Sequence, residues 1–406
     1  MTTALQPHYE VTTTRSPLFT GLQIACYAGI LLYAVFFQTI RILGPAVFAV
    51  AVGCAILIWL STVRWYVQQY LIAFALVAFI YAVVSSIGLL HWNTLLFQRG
   101  AILQQSLYAF LLPILVPVFA YYHERVALRD RAFVVMDNVL LLMCVVSKLL
   151  YAISLGSIEN LGVVQLFNVE AIFTFVLVRR LYFTDRPSLP LKVVVVVLFA
   201  LTAGSFQSIL VALFLIAVLV APQWGRTTLL CFTGGLIAIS IVAVPFADAI
   251  WQQDPNTGIR LFFWRDAISR IVQSYGIGQG FGTETIRPIY ELSSGDVTIA
   301  GLDQEDFIMV GSHNAFIDAG YRMGLIGMTI LVAYIVSLFR TMITVADDNR
   351  SFDYFACALL FVILMVNVGL TSINFLFGAS FVLGWLAFRT TLRPLDVRRE
   401  MGVARL

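Results

Sequence analysis

Two arginines on one amphipathic segment and a histidine at the head of a later helix are the residues whose types and spacing best suit chemistry. From 257 to 275 the sequence reads TGIRLFFWRDAISRIVQSY, and at about 100° per residue Leu261, Trp264, Ile268, Ile271, Val272 and Tyr275 fall on one helical stripe. Such a helix lies in a membrane interface with its apolar stripe down. Arg260 and Arg265 border the stripe at headgroup level, whereas Arg270 lies on the far face beside Asp266 at i−4, a solvated pair. A guanidinium grips phosphate oxygens through a fork of donors and stays charged, so Arg260 and Arg265 suit a lipid-linked diphosphate; the same placement also serves ordinary headgroup anchoring.

Next comes YGIGQGFGTE, in which Gly276, Gly278, Gly280 and Gly282 alternate. It reads as a flexible turn returning the chain, with backbone contact to an anion as the other use. A dinucleotide fingerprint is excluded because no strand precedes it. The segment GSHNAFIDAGYRMGLIGM, 311–328, opens a spanning helix, with His313 and Asn314 at its wet end and Gly320, Gly324 and Gly327 forming a face that admits another helix. An imidazole can take or give a proton near neutral pH, as activating a sugar hydroxyl requires; a histidine at a helix start also serves as a cap or surface residue. Asp318 and Arg322 follow at i,i+4 spacing, deeper in the span, where charges are costly and are expected to be paired inward in a supporting role. Lys148 and Glu170 are further charges within spans, without assigned partners.

The elements that must hold these residues are membrane helices. Of the 406 residues, 60% are hydrophobic and 12% charged, with mean hydropathy +0.92, more apolar side chain than a soluble core of this length can bury. Apolar windows predict spans near 18–37, 42–60, 66–90, 100–121, 132–153, 161–178, 190–203, 206–221, 227–250, 313–339, 354–371 and 374–389. The expected fold is thus an all-α polytopic membrane protein of about twelve transmembrane helices, with one long extracytoplasmic loop, 251–312, that contains the interfacial amphipathic helix. Residues 1–17 read as a cytoplasmic tail, 18–390 as the transmembrane domain with a retained first span, and 391–406 as a basic cytoplasmic tail. Seventeen of the twenty-five Lys and Arg residues fall on the side of the two termini and six on the other, which predicts N-in, C-in.

Other chemistries lack their residues. The five cysteines all lie in apolar segments, so a disulfide framework is not expected. The remaining histidines, His8, His91 and His123, are scattered, and no cluster has metal-ligand spacing. A net charge of +3 spread over many loops does not point to nucleic acid. There is no phosphate-binding loop with its lysine, no GxSxG elbow and no HExxH helix.

At these residues the chain resembles the O-antigen polymerase and O-antigen ligase superfamily of bacterial membrane glycosyltransferases. Two blocks carry the likeness: GIRLFFWRDAISRIVQSYGIGQGFG, and HNAFIDAGYRMGLIG, which fits His-Asn, nine residues, Gly-x-x-Gly. The remainder agrees only in topology. The pattern departs at LTAGSFQSIL, where Phe206 and then Gln207 stand near the family's Arg or Lys. The resemblance implies an enzyme of the bacterial inner membrane that needs no metal or other cofactor. Its donor would be an undecaprenyl-diphosphate-linked oligosaccharide, transferred to a sugar acceptor, with membrane lipids, a flippase and a chain-length regulator as partners. Arg260 corresponds to the family's loop arginine, with Arg265 just beyond, and His313 to its essential histidine. Polymerisation of repeat units is the expected reaction. Ligation of finished polymer to lipid A core is the alternative, and a secondary transporter using Asp318, Arg322, Lys148 and Glu170 as a relay is the alternative of another class.

Overall fold

A computed structural model describes residues 17–36, 44–62, 69–90, 99–154, 167–183, 206–253, 255–283, 312–344, 350–367, 370 and 375–391. Every regular element among them is helical. In chain order these are α1 (Pro17–Phe36), α2 (Gly44–Thr62), α3 (Gln69–Ser86), α4 (Arg99–Ala127), α5 (Arg131–Ser154), α6 (Phe167–Phe183), α7 (Phe206–Val220), α8 (Gly225–Ala243), α9 (Ala247–Gln253), α10 (Pro255–Gln273), α11 (Ala315–Thr344), α12 (Arg350–Val362) and α13 (Ser380–Thr391). Two π-helical turns, Ile363–Asn367 and Phe375–Ala379, extend α12 and precede α13. The expected span 190–203 and the loop 284–311 lie outside the described residues.

Five of the described helices are long and apolar enough to cross a membrane, and four shorter apolar helices accompany them. Their surroundings differ. In α4 the spanning window is 67% buried by protein, whereas in the run Pro222–Ile250 only 6% is, so α4 is central and that run faces outward almost all round. Ile239, Ile241, Val242 and Phe246 all stand exposed there. A helix apolar on every side and so little covered is stable only in an apolar solvent, so these helices belong in a membrane.

Away from α10 and α11 the bundle is tied by a buried ionic network. Asp137 on α5 accepts hydrogen bonds from Arg179, from Arg180 Nε at 3.0 Å and from the Tyr122 hydroxyl at 3.1 Å. Arg179 Nη1 faces His123 Nδ1 at 2.7 Å, and His123 Nε2 faces the Phe381 carbonyl at 2.8 Å. A carbonyl only accepts and a guanidinium only donates, so the ring is neutral with its proton on Nε2. A second knot joins Asp353 of α12 to Arg389 and Trp385 of α13. Arg179, one residue past the expected span 161–178, is 3% exposed because it meets His123 of α4 and Asp137 of α5.

Candidate functional site

The site is built around the main chain of one residue, Ser312. Asn314 caps α11, its side-chain Oδ1 accepting the Phe316 and Ile317 amides at 3.0 and 3.1 Å. The cap role therefore belongs to Asn314 and leaves His313 free of it. Just before, the Ser312 amide donates to Asp318 Oδ1 at 2.8 Å, the Ser312 carbonyl accepts from Trp264 Nε1 at 2.7 Å, and the Ser312 hydroxyl donates to the Asn314 carbonyl at 3.0 Å. Between this clamped residue and the cap, His313 takes φ 56°, a left-handed conformation that costs an L-residue about 1–2 kcal/mol. The half-buried imidazole stands 6.4 Å from the Phe263 ring, centroid to centroid.

Trp264 and Phe263, which meet 312 and 313, belong to α10, so the helix bearing Arg260 and the turn bearing His313 are joined directly. Arg260 precedes them by three and four residues, which places it one helical turn away on the same face. Arg265 lies about 140° around the helix from Arg260. Its guanidinium pairs with Asp248 at 2.9 Å and lies 4.8 Å from the Phe262 ring centre. Arg260 thus stands one turn along α10 from the residues that meet the His313 turn, whereas Arg265 pairs with Asp248.

The expected resting mode of α10 is corrected in part. Leu261, Trp264 and Ile271 of the apolar stripe are buried in protein with Phe262, Phe263 and Ala267, while Ile268 is 41%, Val272 69% and Tyr275 90% exposed. Four consecutive apolar residues, LFFW, cover the whole circumference, so the wheel alone cannot tell which sector packs. Only the C-terminal part of the stripe stays uncovered for lipid. The Arg270–Asp266 pair forms at 2.9 Å, but with side chains 11% and 14% exposed it is largely buried instead of solvated. Burial pushes the Asp266 carboxyl above its ordinary range despite the guanidinium beside it.

The glycine turn is not flexible, and its amides are not turned to an anion. Of the seven residues 276–282, six donate their amides to protein: Gly276 to Ile271, Ile277 and Gly278 to Ser274, Gln279 to Tyr321, Phe281 to Ser85 and Gly282 to Gln105. All four glycines have positive φ. The turn enters a break in α11, where Met323 (φ −121°, ψ 15°) and Gly324 (φ 65°, ψ −172°) leave helical geometry. Gly324 occupies a region that is essentially glycine-only. Within an unbroken helix the Leu325 amide would bond the Tyr321 carbonyl. Here Leu325 donates to Gly276 at 2.8 Å, and Tyr321 accepts from Gln279 at 2.6 Å. The turn replaces the lost helical bond with two of its own. The small-residue face therefore receives a helix at one position and a loop at the next: Gly320 faces Ile271 of α10, Gly324 faces the Gly276 and Ile277 carbonyls, and Gly327 faces Met323 of its own helix.

Asp318 and Arg322 are 0% and 1% exposed, inward as expected, but no ion pair joins them. Asp318 accepts from Ser312 and, at 2.9 Å, from the Leu370 amide. Arg322 donates to the Thr283 carbonyl and lies 5.1 Å from the Tyr321 ring centre. One turn apart on α11, the two charges hold the two ends of the loop 284–311. Leu370, which follows the first π-helical turn by three residues, is marked by nothing local in the sequence. The side chains of Lys148, Glu170, Phe206 and Gln207 lie outside the described residues. Among the described residues no three His, Cys, Asp or Glu side chains gather into a group able to hold a metal. Compared with known protein families, with curated proteins and with solved structures, the chain matches none.

Proposed function

We propose that this protein is a membrane glycosyltransferase that polymerises undecaprenyl-diphosphate-linked oligosaccharide repeat units into a surface polysaccharide or exopolysaccharide. The observation that carries the reading is the Trp264–Ser312 hydrogen bond at 2.7 Å, which ties the first of the two sequence blocks on which the family resemblance rests to the residue immediately before the second. It ties the helix bearing a guanidinium suited to a diphosphate to the turn bearing an imidazole suited to a sugar hydroxyl. Arg260 would hold the donor diphosphate, Arg265 would join it by exchanging its exposed Asp248 partner, and His313 would deprotonate or orient the acceptor hydroxyl. Asn314, Asp318 and Arg322 would support the geometry. Ligation to lipid A core would use the same groups and differ only in the acceptor.

Arg260→Lys is expected to lose most transfer from a radiolabelled repeat-unit donor in membrane vesicles, since a point ammonium cannot reproduce a guanidinium fork. Arg265→Lys is expected to fall less, because an exposed ion pair already occupies that side chain and contributes only about 0–1 kcal/mol. Equal losses at the two positions would contradict this division of roles.

We further propose about twelve spans in a bacterial inner membrane, N-in and C-in, with 251–312 extracytoplasmic, on the strength of the seventeen-to-six charge bias. Reporters fused after Pro288 are expected outside, and those after Arg129 or Arg350 inside. A cytoplasmic signal at Pro288 would remove the site from the side where the donor is presented.

A further inference from the structure

We propose that Asp318 and Trp264 are positioning residues for His313: together they clamp the Ser312 main chain at its amide and its carbonyl and so impose the left-handed turn that presents the imidazole. The inference rests on the reading of His313 as the group that meets the acceptor hydroxyl. Its mechanical content does not depend on which hydroxyl that is.

The Ser312 peptide groups are held from opposite sides by different elements. Asp318 takes the amide at 2.8 Å from within α11, and the Trp264 indole gives its N–H to the carbonyl at 2.7 Å from α10. The carboxylate is fully buried, and its other oxygen is engaged by the Leu370 amide at 2.9 Å, so it cannot swing away without stranding two main-chain donors. Trp264 is 5% exposed and packed among Leu261, Phe262 and Phe263, so the indole is equally fixed. A histidine with φ 56° persists only where its neighbours over-determine it, and here both flanks are set: the clamped Ser312 before it and the Asn314 cap after it. Since Asp318 makes no ion pair with Arg322, its place on α11 is explained by the amides it holds. The same carboxylate thus ties Leu370 to the residue that precedes His313.

The test is the rate at which diethyl pyrocarbonate modifies His313 in detergent-purified full-length protein, followed by mass spectrometry relative to the other histidines of the chain. Asp318→Asn and Trp264→Phe are each expected to speed modification by about tenfold, the equilibrium equivalent of one lost hydrogen bond to a buried main-chain group. Phe262→Leu, which loosens the same cluster without touching Ser312, is expected to leave the rate unchanged. Unchanged rates in folded Asp318→Asn and Trp264→Phe, or an equal rise in Phe262→Leu, would overturn the clamp. Should Asp318→Asn fail to fold, Trp264→Phe decides the matter alone. In the transferase assay both variants are expected to lower kcat while the donor KM holds. A wild-type protein without transferase activity would refute the functional reading, and the modification rates would still decide the clamp.

Discussion

Polymer growth is expected to stop when His313 is replaced by alanine, with the protein still inserted, folded and able to bind donor. Removing a general base lowers a rate by about 10² to 10⁴, and removing an acceptor-orienting group can do as much. The fold should tolerate the change because the helix cap is Asn314, whose Oδ1 takes the Phe316 and Ile317 amides, and because the imidazole is only half buried. Asn314→Ala provides the contrast: it removes the cap and should cost about 1 kcal/mol of stability. The measurement is chain length from a radiolabelled repeat-unit assay in vesicles, alongside the folded fraction in detergent. Near-normal chains from His313→Ala would sink the mechanism. A loss of activity matched by an equal loss of folded protein would reduce His313 to a structural residue.

Gly278→Ala is expected to be strongly destabilising although it adds a single methyl group. Gly278 has φ 87°, and a Cβ there would stand 2.6 Å from the Gly324 nitrogen and 2.9 Å from the Gly320 oxygen, both backbone. Neither can yield without moving the break in α11. Left-handed strain of about 1–2 kcal/mol adds to an overpacking cost of about 1–3 kcal/mol. Against a total stability of about 5–15 kcal/mol that is a large fraction. Gly276→Ala is the control: its φ is 79°, but the nearest atom to a new Cβ, at 2.7 Å, is Cδ1 of the Leu325 side chain, which can rotate aside. Thermal denaturation of the purified variants should put Gly278→Ala well below Gly276→Ala. Equal midpoints would mean that the turn is not seated in the helix break. Gly324→Leu, which forces a side chain onto the Gly276 and Ile277 carbonyls, should likewise lower folded protein together with activity.

The glycine turn shows where local reading stops. Alternating glycines mark a chain that needs unusual φ, but flexibility and a tightly seated rigid turn have the same composition. What separates them is the set of distant partners, here Ser85, Gln105 and Tyr321, as much as 196 residues away. The break at Gly324 was equally hidden: a Gly-x-x-Gly within an apolar run is also what a close helix contact looks like.

The amino-acid sequence by itself determined the solvent and the element type. Runs of apolar residues too long for a soluble core require lipid, and lipid requires every backbone group to be satisfied within the segment, which leaves helices. It also put Arg270 within reach of Asp266, because i,i+4 neighbours share one face of a helix, and no other partner among the described residues draws either of them away. Tertiary structure alone decided which residues meet across elements. Asp318 and Arg322 stand one turn apart and yet bond Ser312, Leu370 and Thr283 instead of each other. Arg265 turns to Asp248, and the head of α10 packs on the His313 turn instead of lying wholly on lipid. The reason is that a buried charge takes whichever hydrogen-bonding partners the surrounding chain delivers to it, main chain included. That delivery depends on where distant segments return, which no local periodicity records.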